Sequence, residues 1–92
     1  MNSILQDKKE CYLSRRSDGL HRHHIYFGPG LRKISEDNGF WVWLRPEWHN
    51  GSGSGVHFDR ALDLRLKREC QQAFERTHTR EEFIRLVGRN YL

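Results

Sequence analysis

The sequence predicts a small α+β domain, from two short apolar strands, a glycine-rich loop between histidines and two helical patterns near the C-terminus. With 92 residues the chain fits one domain. We place that domain at residues 10–92, after a polar, flexible segment at residues 1–9. A domain of this length buries only about 60–65% of its unfolded surface, so a metal or a partner would add useful stability.

The two main strands are predicted from short stretches that are rich in aromatic and β-branched residues. Leu20 to Phe27 alternates weakly before a Gly-Pro-Gly break, and Phe40 to Leu44 is ended by a proline. Glu10 to Leu13 could form a further short strand, and Arg32 to Asp37 a short helix or turn. The expected order is therefore two strands followed by helices.

A long amphipathic helix is predicted from roughly His57 to Arg76, because apolar residues recur there at every fourth position. The recurring residues are Phe58, Leu62, Leu66, Cys70 and Phe74. A short C-terminal helix is predicted from Thr79, since Thr79 and Glu82 have the spacing of a capping box and Gly88 is a stop signal.

Basic side chains are concentrated in the first part of the chain. Residues 1–34 hold seven Lys and Arg against three Asp and Glu, within a formal net charge of +4 for the whole chain. A basic face favours a polyanionic partner such as DNA, although an ordinary solvated surface is the alternative. We also expect no membrane span, no signal peptide, and free thiols at the two cysteines in a reducing cytoplasm.

Histidines carry the clearest chemical signal, because the chain has six of them. Strand alternation predicts that His21 and His23 share one face and that His24 points to the other. His49 and His57 flank a glycine-serine loop that could fold them towards one ion. Three neutral imidazoles with an open position would form a catalytic metal site. Scattered histidines with satisfied hydrogen bonds are the alternative interpretation.

Three groups of residues around these histidines form an ordered pattern. They are His23-His24-Ile25 after a strand, Trp43-Leu44-x-Pro46-Glu47-Trp48-His49-Asn50, and Gly55-Val56-His57. The pattern resembles the HNH endonucleases, and in particular small members encoded by bacteriophages and prophages. The resemblance runs from about Cys11 to the C-terminus. It implies a ββα-metal (His-Me finger) core, here with a long amphipathic helix and a short C-terminal helix.

The resemblance also implies a role for each residue of the site. His24 would be the general base, and Asn50 would orient that base or the scissile phosphate. His23, His49 and His57 would hold one divalent cation, for which Mg, Mn, Ni and Zn remain open. A divalent cation stabilises charge on the phosphate and the leaving oxygen, and an imidazole can take a proton from water.

Several further residues are candidates for supporting roles. Phosphate contacts are predicted for five basic residues, namely Arg15, Arg16, Arg22, Arg32 and Lys33. Glu47 could fix the tautomer of a ligating histidine, with a solvated surface glutamate as the alternative. His21 could be an auxiliary ligand, or could have a structural or phosphate-contacting role.

One departure from the family pattern concerns zinc. Many HNH proteins carry a Cys₄ zinc knuckle, but here Ser14, Arg45 and Trp48 occupy positions where cysteines would stand beside Cys11. A Zn(Cys)₄ site is thereby excluded. We expect apolar packing of Trp41, Trp43, Trp48 and the long helix to hold the scaffold instead.

The expected function is hydrolysis of DNA phosphodiester bonds in the cytoplasm of a bacterial host, by a protein encoded in a phage or prophage. The alternatives are a catalytically inactive DNA-binding module derived from the same fold, and a phage assembly protein. A homodimer or a phage or recombination protein is a possible partner beside DNA.

Overall fold

The structure is a computed structural model that describes residues 1–49 and 55–92. Its elements are β1 (His21–His24), α1 (Leu31–Asn38), β2 (Trp41–Leu44), α2 (Pro46–His49), α3 (Arg60–Phe74) and α4 (Arg80–Val87). The protein is thus a mixed α+β domain, as the sequence predicts. In the described part of the chain, no helix is both long enough and apolar enough to cross a membrane.

β1 and β2 pair as a two-stranded antiparallel sheet, which we call the hairpin although α1 lies in the connection between its strands. The register sets His23 opposite Val42 and His24 opposite Trp41. A further backbone bond from Ile25 N to Phe40 O, 2.9 Å long, extends the pairing beyond β1. Because side chains alternate along a strand, the hairpin has two different faces. One carries His21, His23, Val42 and Leu44, and the other carries Arg22, His24, Trp41 and Trp43.

α1 is held against the end of β1 by one buried hydroxyl. Ser35 Oγ donates to Tyr26 O at 2.6 Å and accepts from Tyr26 N at 3.2 Å. Ser35 is fully buried, so both bonds are shielded from water. Residues 32–37, which by sequence could form a helix or a turn, thus lie within helix α1. The docking of α1 brings Glu36 next to His24 of β1.

The core lies between the inner face of the hairpin and the two C-terminal helices. Tyr26 is at its centre, with ring centroids 5.4 Å from those of Phe40 and Phe83. Trp48 packs against this core as predicted. Trp41 is also buried, at 5% exposure, and packs against the half-buried Trp43 across 5.2 Å on the other face of the hairpin.

α3 starts three residues later than the periodicity predicts. Asp59 caps it, accepting a 3.1 Å bond from Leu62 N. Phe58 therefore precedes the helix and is 65% exposed, so its placement on the apolar stripe is wrong. Leu66 and Cys70 are fully buried on that stripe, as expected.

The C-terminal helix follows the prediction closely. Thr79 and Glu82 form a capping box around the start of α4, and Gly88 ends the helix in a left-handed conformation. These signals involve residues that are close in sequence, which is why they are readable without the tertiary structure.

The N-terminal segment lies along β2. Ile4 N donates to Gly39 O and Tyr12 N donates to Trp43 O, at 2.9 and 2.8 Å. Glu10 to Leu13, which by sequence could form a short strand, belongs to a turn instead. The physical reason is local, since Cys11 O accepts a 2.9 Å bond from Arg15 N that closes the chain on itself.

We expect Gly39→Ala to destabilise the protein more than Gly88→Ala. Both glycines have positive φ, at 73° and 86°, so each alanine carries a conformational cost of about 1–2 kcal/mol. Only at Gly39 would the new Cβ also collide with a backbone atom, Asn2 O. Thermal unfolding of the two variants should separate strain from collision, at about 4–8 °C per kcal/mol. Equal losses in the melting temperature would contradict the close packing of the N-terminal segment on Gly39.

Candidate metal centre

Three histidines from separate parts of the chain meet on the inner face of the hairpin. His23 lies on β1, His49 is the last residue of α2, and His57 lies in the turn before α3. One imidazole nitrogen from each lies within 4.8 Å of the others. These three residues, named below the histidine trio, are close enough to hold a metal ion. The predicted ligands therefore do lie together.

Burial decreases across the trio. His23 is only 1% exposed, His49 is half-buried and His57 is exposed. Within the described part of the chain, His23 Nε2 is buried without a hydrogen-bond partner. A buried polar atom in that state is costly unless something binds it. The trio thus has a buried nitrogen at its base and an open side at His57.

Burial also sets the protonation state of the trio. The pKa of His23 is lowered to about 3, first by burial and then by the charges of His49 and His57. Burial likewise lowers the pKa of His49 to about 4, with a further contribution from His57. Both imidazoles are therefore neutral near pH 7, which is the form that binds metal ions.

His21 lies beside the trio, with its Nδ1 3.3 Å from Nδ1 of His49. One of these two nitrogens can donate to the other, depending on the tautomers. Such a contact fits an outer partner that orients a ligating imidazole.

Two residues that the sequence did not single out also border the trio. The Phe27 ring centroid lies 5.4 Å from that of His57 and 6.3 Å from that of His23. Lys67 Nζ lies 4.5 Å from the centroid of the Phe27 ring and 2.8 Å from Asp63 Oδ2. The Phe27 ring therefore lies next to His23 and His57 of the trio, and the Lys67 ammonium group in turn contacts the Phe27 ring. No local motif marks this pair, since the two residues are forty positions apart.

His24 faces the other side of the hairpin. Its Nε2 lies 2.6 Å from Glu36 Oε2, and the second oxygen of Glu36 pairs with Arg22. The pKa of Glu36 is below its ordinary value, mainly because its carboxylate accepts the hydrogen bond from His24. Glu36 is therefore ionised near neutral pH. Glu47, the candidate that the sequence offers for such a role, pairs with Arg45 at 2.8 Å.

His24 remains close to the trio although it points away from it. Burial and the two other imidazoles of the trio are the larger causes of the lowered pKa of His23, and the charge of His24 is a smaller cause. The same charge contributes to the lowered pKa of His49, after burial, His57 and His21. His24 and the trio are thus close enough to interact electrostatically.

His24 lines an open groove with a volume of about 660 Å³. Its other lining residues are Arg22, Gly30, Arg32, Lys33, Glu36 and Asp37. Three of the five predicted phosphate contacts therefore share one surface with His24. The other two lie apart from this lining, where Arg15 pairs with Glu10 at 3.1 Å and Arg16 with Asp18 at 3.6 Å. Asn50, the remaining predicted catalytic residue, lies outside the described residues.

Comparisons of this chain with protein-family models, with curated proteins and with solved structures found no match. Membership of the HNH family therefore stays a prediction from the residue pattern. The geometry of the trio and of the His24 groove stands independently of it.

The metal-free protein should lose stability as the pH falls from about 6.5 towards 4. The unfolded chain binds protons at its histidines near pH 6.5, whereas folded His23 and His49 do so only near pH 3 and pH 4. Between these values the unfolded state binds more protons, so acid favours unfolding. His23 alone should contribute a loss of about 2 kcal/mol between about pH 7 and pH 5.

Urea unfolding at the two pH values measures this loss. His23→Gln should reduce it, while His78→Gln, a change at an exposed histidine outside the trio, should not. Equal stability of the wild-type protein at both pH values would show that His23 is not buried in the neutral form.

One divalent ion should bind per chain. Addition of Mn²⁺, Ni²⁺ or Zn²⁺ at about 100 times the dissociation constant should raise the free energy of unfolding by about 2.7 kcal/mol. His49→Ala should weaken binding at least about tenfold, because one of three imidazole ligands is lost. Titration calorimetry and thermal shift measure both effects, with His78→Ala as the control. Unchanged affinity in His49→Ala would place the metal elsewhere.

Proposed function

We propose that this protein is a metal-dependent endonuclease that hydrolyses DNA phosphodiester bonds. The observation that supports this most directly is the histidine trio, in which one imidazole nitrogen of each residue lies within 4.8 Å of the others. Among the residues that the structure describes, His23 Nε2 is also buried without a hydrogen-bond partner. The groove that His24 lines is the second support, because Arg22, Arg32 and Lys33 give it basic side chains that suit a polyanion.

In this proposal His23, His49 and His57 hold one divalent cation, which could be Mg, Mn, Ni or Zn. Three protein ligands leave positions for a phosphate oxygen and for water, as catalytic sites require. Such an ion stabilises the charge that develops on the phosphate and on the leaving oxygen. The exposed side of His57 is the side from which a phosphate can approach.

His24 is the general base in this proposal and takes the proton from the attacking water. Arg22, Arg32 and Lys33 line the same groove and would neutralise phosphates on either side of the cleaved bond. The groove and the trio lie on opposite faces of β1. A single bound DNA molecule would therefore have to pass the end of β1 to contact both.

A second candidate is binding of metal and DNA without cleavage. The observation that favours it is the direction of His24, which faces Glu36 and not the trio. If that direction persists when DNA is bound, no base is available next to the metal. Hydrolysis then has no acceptor for the proton of the attacking water.

Cleavage of supercoiled plasmid discriminates between the two. The wild-type protein should nick or cut plasmid with at least one of Mg²⁺, Mn²⁺, Ni²⁺ and Zn²⁺, and a chelator should abolish this. His24→Ala should lower the rate by about 10²–10⁴-fold, the usual contribution of a positioned base. His24→Ala should still bind metal, whereas His23→Ala should lose both metal and activity.

His78→Ala is the matched control, because it removes an exposed imidazole from outside both faces of the hairpin. Equal cleavage by wild type and His24→Ala would refute the assignment of the base. Salt-sensitive DNA binding with no cleavage under any of the four metals would support the second candidate.

A further inference from the structure

We propose that Glu36 is a positioning residue for His24, whose carboxylate holds the Nε2 hydrogen of the imidazole and leaves Nδ1 as the nitrogen that accepts a proton. The sequence pattern does not mark Glu36. The catalytic consequence of this positioning rests on the proposed function, whereas the hydrogen-bond geometry does not.

The contact itself determines which nitrogen carries the hydrogen. Glu36 Oε2 lies 2.6 Å from His24 Nε2, which is a short distance for this kind of bond. An ionised carboxylate can only accept hydrogen bonds, so the hydrogen must be on Nε2. A neutral imidazole has one N–H group, and Nδ1 is then left with its lone pair. One tautomer of His24 is selected out of two.

Glu36 is itself held in place from two sides. Its other oxygen pairs with Arg22, whose guanidinium carbon lies 3.9 Å from the centroid of the Trp41 ring. The preceding residue, Ser35, anchors α1 to the backbone of Tyr26 through two hydrogen bonds. Both oxygens of the carboxylate are therefore used, one by His24 and the other by Arg22.

This arrangement differs from the ordinary ion pairs of the surface. Lys33 and Asp37, for example, form a pair within one helix at 2.6 Å, with side chains that are 81% and 55% exposed. Such pairs contribute little and exchange easily. The His24 ring is only 13% exposed while the Glu36 side chain is 41% exposed, and their bond joins β1 to α1. A partly buried bond between two elements restricts rotation of the ring as well as its tautomer.

The first test observes the tautomer directly, by long-range proton–nitrogen NMR of the ¹⁵N-labelled full chain at about pH 8. Wild-type His24 should show hydrogen on Nε2 alone. Glu36→Ala should give a mixture of both tautomers, and Glu36→Gln should retain the wild-type form, since its amide oxygen can still accept the bond. Glu81→Gln and Glu81→Ala, at an exposed position of α4, are the matched controls and should resemble wild type.

The second test measures cleavage kinetics on the same variants. Glu36→Ala should lower kcat by about 10²-fold or more, with KM within about twofold and with unchanged metal affinity by calorimetry. Glu36→Gln should recover a large part of kcat. A structural role alone would lower the melting temperature without this separation of kcat from KM, and Glu36→Gln would not restore the rate selectively.

The outcomes separate the two proposals. Hydrogen on Nδ1 of wild-type His24, or an unchanged spectrum in Glu36→Ala, would overturn the inference. So would a rise in KM with kcat unchanged, because Glu36 would then act on DNA binding through Arg22. If the wild-type protein cleaves no DNA with any of the four metals, the proposed nuclease function fails, while the NMR result still decides whether Glu36 positions His24.

Discussion

Antiparallel pairing of β1 with β2 decides which side of the hairpin each histidine faces, and the rest of the site follows from that register. His23 lies opposite Val42 on the buried face, and His24 lies opposite Trp41 on the outer face. A slip of one residue would exchange the two faces and would remove His23 from the trio. Burial favours this register, because Val42 and Leu44 are fully buried in it.

The two faces of the hairpin provide two different electrostatic environments. On the inner face, burial lowers the pKa of His23 and keeps the imidazole neutral. On the outer face, the ionised carboxylate of Glu36 lies between Arg22 and His24. Neutral nitrogen donors suit a metal ion, and an imidazole next to a carboxylate suits proton transfer. A strand that is only four residues long thus separates two kinds of chemistry by one peptide unit.

The site also has a cost in stability. In the part of the chain that the structure describes, His23 Nε2 is buried without a partner, which disfavours folding. The lowered pKa of His23 disfavours folding further in acid. The core that offsets this cost is small, with aromatic contacts of Tyr26, Phe40 and Phe83 at its centre. A metal bound by the trio would satisfy the buried nitrogen and would couple ligand binding to folding.

Much of the structure could be predicted from the sequence because its signals are local. The capping box at Thr79, the glycine stop at Gly88 and the apolar stripe through Leu66 and Cys70 all involve residues a few positions apart. Alternation along β1 likewise separates His23 from His24. The predicted start of the long helix was wrong, because the side chain of Asp59 caps α3 by accepting a hydrogen bond from Leu62 N. The helix therefore begins after Phe58, and the Phe58 ring is exposed.

The sequence by itself therefore determined the α+β class, the two C-terminal helices and the three histidines of the trio as a candidate set. Only the tertiary structure decided that the trio converges, that Trp41 and Trp43 cover the outer face, and that His24 pairs with Glu36. The reason is physical. The contact between His24 and Glu36 depends on the docking of α1 through Ser35, and docking of one element on another leaves no periodic pattern in the chain.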